Sequence, residues 1–416
     1  MPSISSLHSR LIYDSRGSKA LEIDVIADKK FLGRACAPSG ASVGKHEAQS
    51  FPSNSPERAL AIIKSNQNRF VGIDASNQIE IFDALRSIDN TETYSIIGGA
   101  AAYAISVASV EAASRALQIP LFRLLKPKGP YRYPYPLGNI LGGGAHAGPG
   151  TPDIQEILAC PVGARNIVEA LEMNFRVHKE VRSVIEDSDP YFTYGRGDEG
   201  GWAPHVNNDH ALEIAEIAVK NSGYSLGTEI SLGVDFASSS YWNETKRIYD
   251  YKRQGLARNR EEQIDYVNEL IKKYNLIYVE DPVNEEDFEG ASNITKENKQ
   301  CIVTGDDMLV TNASRAKLAA EHNACSGAIL KVNQAGSLYE AMNFANTCSA
   351  NRIKIITSHR SGESIDSHLS HIGIATDSKM LKAGIVGGER ISKSNELVRI
   401  TEYDLIDGMV DLFSAK

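Results

Sequence analysis

The chain has 416 residues, is 42% hydrophobic and 23% charged, and carries a formal net charge of -9 at pH 7. That acidic excess excludes the basic surface needed to displace counterions from nucleic acid, and no apolar run approaches the roughly 20 residues that span a bilayer. The length exceeds one ordinary compact core but suits a barrel with one smaller domain beside it.

The amino terminus, Met1 to Gly17, is polar and lacks the apolar centre of a secretory signal, so a cytoplasmic protein is expected. Residues 7–13 and 20–27 alternate apolar and polar side chains as half-buried strands do. Asp14-Ser15-Arg16-Gly17-Ser18 between them has turn chemistry, which predicts a hairpin. Helical periodicity follows over residues 57–70, 77–87 and 100–117, the last so rich in Ala and Ser that it predicts a helix packed closely on its neighbours. Residues 127–136 are a Pro, Gly and Tyr stretch and read as a domain junction, dividing the chain into 1–130 and 131–416. Beyond it, short apolar runs alternate with helix-like segments. Strands are predicted at 157–160, 231–235, 276–281, 302–306, 328–332, 353–358 and 379–385. Such alternation means a parallel sheet with crossover helices, and seven or more units in this length favour a closed barrel. Five scattered cysteines (Cys36, Cys160, Cys301, Cys325 and Cys348) form no CxxC pair, which argues against zinc and for free thiols in a reducing compartment.

The polar residues fall in a telling place. Five consecutive predicted strands end in Asp235, Glu280, Asp306, Lys331 and His359, and Lys382 lies in the last strand. The carboxyl ends of barrel strands converge on one face, where active sites form. A single aspartate at a strand end is usually a helix cap or a solvated loop charge. Three carboxylates on consecutive strands, each after an apolar run, are harder to explain that way, because buried together without a cation they would repel and take up protons. A hard divalent cation resolves the conflict, and all-oxygen donors suit Mg²⁺ better than zinc. Lys331 sits in core-like sequence, Ala-Ile-Leu before it and Val-Asn-Gln after. Desolvation beside other cations lowers a lysine pKa and makes the amine usable as a base. A carboxylate metal site beside such a base suits removal of a proton next to a carboxylate group.

Further blocks accompany this set in order along the chain. They are Pro38-Ser39-Gly40-Ala41-Ser42, Gly144-Ala145-His146-Ala147-Gly148 with Gln155-Glu156, and Gly197-Asp198-Glu199-Gly200-Gly201-Trp202-Ala203-Pro204. After them come Val279-Glu280-Asp281-Pro282, Thr304-Gly305-Asp306-Asp307, Leu330-Lys331-Val332-Asn333-Gln334, Ser358-His359-Arg360-Ser361-Gly362-Glu363 and Lys382-Ala383-Gly384. Together they resemble the enolase family along nearly the whole chain, and the ending Ile385-Val386-Gly387-Gly388-Glu389-Arg390 is similar to archaeal members. The resemblance implies a (β/α)8 TIM-type barrel of the enolase superfamily with an N-terminal α+β capping domain. It also implies a hydro-lyase that interconverts 2-phosphoglycerate and phosphoenolpyruvate. By the same resemblance Lys331 is the base, Glu199 with Glu156 protonates the leaving hydroxyl, and His359 acts beside them. Asp235, Glu280 and Asp306 would hold one Mg²⁺, and Ser42 would help hold a second that arrives with substrate. His146, Gln155, Arg360, Ser361 and Lys382 would bind substrate, and the assembly would be a homodimer or a higher homo-oligomer. The superfamily pattern of a lysine or histidine base with one or two Mg²⁺ ions is itself a known one.

Two departures from the family pattern stand out. Gly17-Ser18-Lys19 replaces the usual Gly-Asn-Pro, and Pro149-Gly150-Thr151-Pro152 lengthens the loop after His146 by one residue. Competing readings are a dehydratase or racemase of non-phosphorylated acids, which would not need Arg360, Ser361 or Ser42, and a catalytically silent paralogue. The second should have lost Lys331, Glu199 or a metal carboxylate, and all are present. The terminal Lys416 is a weak pointer to a lysine-binding partner.

Overall fold

The computed structural model describes residues 1–40 and 44–413. The predicted hairpin forms: β1 (Ile4–Tyr13) pairs antiparallel with β2 (Lys19–Ala27), Tyr13 opposite Lys19, so the Ser18-Lys19 departure leaves the turn intact. A third strand, β3 (Phe31–Cys36), completes this sheet and had no clear alternation to announce it.

Helix α1 (Pro56–Asn66) starts where Ser55 accepts the Arg58 N–H and Pro56 fills the first position, and it tightens into a 3₁₀ turn at Gln67–Phe70. Helix α2 (Gln78–Ile88) is capped by Asn77, which accepts from the amides of Ile79 and Glu80. Helix α3 (Gly99–Leu117) is buried at every position from Gly99 to Val110. Its small residues let it lie directly on the sheet. A Cβ on Gly33 of β3 would stand 1.9 Å from the Ala108 carbonyl oxygen, so only glycine permits the approach.

The rest of the chain closes an eight-stranded barrel. Its strands in chain order are Tyr135–Gly142, Glu156–Cys160, Ser231–Asp235, Tyr278–Glu280, Ile302–Gly305, Gly327–Leu330, Lys354–Ser358 and Met380–Gly384. The first was hidden in the sequence because Pro136, Gly138 and Gly142 make it resemble the junction before it. A second difference concerns direction. The barrel is not wholly parallel, because the second strand runs antiparallel to both neighbours. No helix follows the first strand; residues 143–155 form a loop with one 3₁₀ turn, and the chain simply folds back. The two helices Ile167–Ser188 and Asn208–Asn221 then both lie between the second and third strands. Parallel pairing resumes from the third strand to the eighth, which also pairs in parallel with the first.

Inside the barrel, Leu137, Leu158, Tyr278, Ile302, Ile329, Ile356 and Met380 form one apolar cluster with Val410 and Leu412 from the carboxy-terminal segment. This is the floor of the barrel. Among the described residues no helix is long and apolar enough to cross a membrane.

Candidate active site

Side chains alternate across a strand, so a residue two positions from a floor residue shares its inward face and stands one layer higher. Glu280 follows Tyr278, Lys331 follows Ile329, Ser358 follows Ile356 and Lys382 follows Met380 at that interval. In the second strand the order inverts: Glu156 precedes Leu158 by two, because the strand runs downward and begins at the upper rim. Glu156 pairs in register with Asp235. The antiparallel strand thus brings a residue from a strand start to the face where Asp235, Glu280 and Ser358 end their strands.

A narrow cleft of about 20 Å³ opens there, lined by His146, Gln155, Glu199, Asp235, Asp306, Lys331, His359, Arg360, Ser361 and Lys382, with Gly40, Asp307, Gln334 and Ser358. Every one of these candidates named from sequence is brought together. Glu156 and Glu280 lie just beneath, both buried, in contact with Lys382. Ser42 and Lys416 lie outside the described residues. Gly40, two residues from Ser42, reaches the cleft because Ser39 exchanges two backbone hydrogen bonds of 2.8 Å with Gly362.

Two ammonium groups organise the carboxylates. Lys382 Nζ lies 2.7 Å from Glu156 Oε2, 2.8 Å from Asp235 Oδ2 and 2.6 Å from Glu280 Oε2. Lys331 Nζ contacts Asp306 Oδ2, while Gln334 donates to Asp306 Oδ1 at 2.9 Å. Glu280 also accepts from the Tyr278 hydroxyl at 2.5 Å, and Asp235 from Gln155 at 3.2 Å. Four buried carboxylates face two cations. Burial and the charges of Asp235 and Asp306 push the Glu280 carboxyl up to about 8 although Lys382 opposes them. That surplus of negative charge on hard oxygen donors suits a divalent cation in this cleft, but among the described residues the three carboxylates whose oxygens lie within 4.8 Å of one another are those of Asp281, Asp306 and Asp307, not those of Asp235, Glu280 and Asp306.

Lys331 departs from expectation. Burial, Arg360 and Lys382 depress the amine, but contact with Asp306 outweighs them and holds its pKa above the ordinary value. The same contact, against burial, holds the Asp306 carboxyl low.

Glu199 forms a second centre. His359 Nε2 stands 2.9 Å from its Oε2, His146 Nε2 3.5 Å from its Oε1, and the Ser361 hydroxyl donates to Oε1 at 3.1 Å. Burial pushes Glu156 up, aided by the neighbouring Glu199 charge, whereas the histidines hold Glu199 below the carboxylate range against burial. His146 is lifted to about 8, the charges of Glu199, Glu156 and Asp235 overcoming burial. His359, under the same acid, falls to about 4 because burial and Arg390 outweigh Glu199. A Cβ on Gly384 would stand 2.1 Å from the Glu199 carbonyl oxygen, so this glycine lets the acidic loop rest on the last strand.

Three supporting residues gave little sequence signal. Asp281 accepts the amides of Asp306 and Asp307 at 2.9 and 2.8 Å and so aims the Asp306 side chain; its place beside Glu280 was the only hint. Arg253 lies in the turn of a small sheet (Trp242–Asn243, Ile248–Tyr251, Leu256–Arg258) and donates to the carbonyls of Gly144 at 2.8 Å, Pro152 at 2.9 Å and Ala147 at 3.4 Å, and to the Thr151 hydroxyl at 2.5 Å. It clamps the loop that carries His146, yet Lys-Arg-Gln-Gly in sequence reads as a solvated turn. Arg390, fully buried, reaches His359 from the final helix Gly388–Ile400.

The family model for the enolase N-terminal domain matches residues 4–125, and that for the enolase C-terminal TIM barrel domain matches residues 130–409. A protein named enolase from Methanosphaera stadtmanae is 43% identical over 411 residues, covering 98% of this chain and 99% of that protein. One from Methanothermobacter thermautotrophicus is 40% identical over 98% of this chain and 99% of its own length, and one from Pyrobaculum aerophilum is 37% identical over 96% of each.

Proposed function

The chain belongs to the enolase family and is a hydro-lyase acting between 2-phosphoglycerate and phosphoenolpyruvate, and from that premise we propose how its residues divide the work. Lys331 removes the proton at C2, and Glu199, in contact with Glu156, returns a proton to the 3-hydroxyl as its bond to carbon breaks and water leaves. One cleft lined by both the Lys331 amine and Glu199, with Glu156 buried just beneath against Glu199, is the observation that carries the reading. Two buried carboxyl groups in contact cannot both ionise, so the pair keeps a proton beside the leaving group. Lys382 neutralises the substrate carboxylate, Arg360 and Ser361 suit the phosphate, where a guanidinium binds two oxygens, and His146, His359 and Gln155 close around the substrate.

Asp235, Glu280 and Asp306 would hold Mg²⁺, with a second ion arriving with substrate near Ser42. When bound, the ion screens the carboxylates from the lysines and stabilises the dianionic enolate. We further read the chain as a capping domain, 1–130, on a catalytic domain, 131–416, in a cytoplasmic homo-oligomer.

The test is the absorbance of the enol product formed from 2-phosphoglycerate, with Mg²⁺ and with chelator. Activity should vanish in chelator and fall by about 10²–10⁴ in Lys331→Ala. Activity surviving that substitution would overturn the base assignment.

A further inference from the structure

The final helix raises a question about His359 that its place in the cleft does not answer. The Nδ1 atom of His359 is 2.9 Å from Arg390 Nη1 and 3.3 Å from the Gly384 amide nitrogen. Both neighbours can only donate: a guanidinium has five N–H groups and no acceptor, and it keeps its charge at any working pH. An Nδ1 met by two donors must present its lone pair, so the single ring proton of the neutral imidazole sits on Nε2. Nε2 lies 2.9 Å from Glu199 Oε2 but off the line of a well-formed hydrogen bond with any described residue. The donor is therefore presented to the cleft rather than consumed by the fold.

We propose that Arg390 is a positioning residue that locks His359 as the neutral Nε2–H tautomer, making it a fixed hydrogen-bond donor to Glu199 or substrate rather than a group that exchanges protons. This rests on the placement of His359 in the cleft argued above. The arginine is held to the task by its other contacts. It is fully buried and donates to the carbonyl oxygens of Arg360 at 2.5 Å, Ser361 at 2.6 Å and Asp198 at 2.9 Å, while its Nε is 3.2 Å from Glu389 Oε1. One side chain thus ties the loop carrying His359 to the loop carrying Glu199. The charged groups around the imidazole are Glu199 from the acidic loop, Glu363 from its own loop and Arg390 from the helix. His146 already helps hold the Glu199 carboxyl low, and a second imidazolium at His359 would hold it lower still.

Nitrogen NMR of the holoenzyme with ¹⁵N-labelled histidine tests the inference, with His359→Gln used only to assign the signal. The wild type should show the Nε2–H neutral pattern, unchanged from about pH 6 to about pH 9, where a free histidine titrates. Arg390→Gln removes the charged donor, so its His359 signal should titrate within that range and its rate should gain an acid limb, about tenfold lower at pH 6 than at pH 8. Arg390→Lys, which keeps a charged donor, should restore the flat signal. An Nδ1–H or imidazolium signal in the wild type would overturn the proposal, and that spectrum decides even if Arg390→Gln does not fold. So would a folded Arg390→Gln enzyme that loses activity with an unchanged His359 signal. A wild type with the expected tautomer but no dehydratase activity would sink the cleft assignments and leave the tautomer standing.

Discussion

The floor and the upper rim of the barrel are built from the same eight strands, about two residues apart, and they obey opposite rules. On the floor, Ile329, Ile356 and Met380 pack with Leu158 and are closed by Val410 and Leu412. At the rim, Lys331, Ser358 and Lys382 stand two positions further along the same strands, among buried carboxylates. The floor gains stability by removing apolar surface from water. The rim gives some of it up, because gathering charge away from water is costly even when each charge has a partner. Conservative change therefore means different things in the two layers. Size matters below and chemistry above.

Substitutions can break or sharpen this contrast. The largest effect on stability is expected below. Ile329→Ala should cost about 2–5 kcal/mol in denaturant unfolding, through lost burial and a cavity, while kcat of the folded enzyme stays near wild type. Lys331→Ala should do the reverse, and a floor variant that lost kcat before stability would break the contrast.

A middle-sized effect comes from His178, which supports the rim from behind. Its Nε2 is 2.9 Å from the Gly200 carbonyl oxygen, its ring stacks on Trp202 at 5.0 Å, and the Trp202 indole donates to its carbonyl at 2.8 Å. Burial lowers its pKa from 6.5 to about 4. The fold prefers the neutral ring, so its contribution is full above pH 6.5 and is lost as the pH falls from there to about 4. That fall corresponds to about 3 kcal/mol at most. Trp202 is one of two tryptophans, so its fluorescence should report loosening of the acidic loop in this window. His178→Gln should flatten the dependence; a wild-type loop indifferent to pH there would refute the link.

The smallest effect belongs to Arg253. Arg253→Ala should free the loop carrying His146 and reduce kcat/KM about tenfold, or about 1.4 kcal/mol, with little change in melting temperature. Unchanged kinetics would mean that the loop holds itself.

Much of this was readable before the structure, and the reasons differ by residue. Hydrophobic runs ending in ionisable groups gave Asp235, Glu280, Asp306, Lys331, His359 and Lys382, because a barrel turns strand ends into neighbours. The enolase-like blocks added Glu199, Arg360 and Ser361, which lie in loops with no periodicity to read. The first barrel strand was obscured by its own Pro and Gly, and β3 by weak alternation.

By itself, then, the sequence determined the layers: a period of two along each strand sorts apolar floor from charged rim, and no contact between strands is needed to see it. Only the tertiary structure decided direction and partnership. Whether a strand runs up or down depends on the loop before it, which is why Glu156 faces Lys382 from a strand's beginning. The sign of a pKa shift depends on which charge wins at a few ångströms, so His146 and His359 flank one carboxylate and shift in opposite directions. Distances of that kind are set by packing among segments hundreds of residues apart, and no local pattern encodes them.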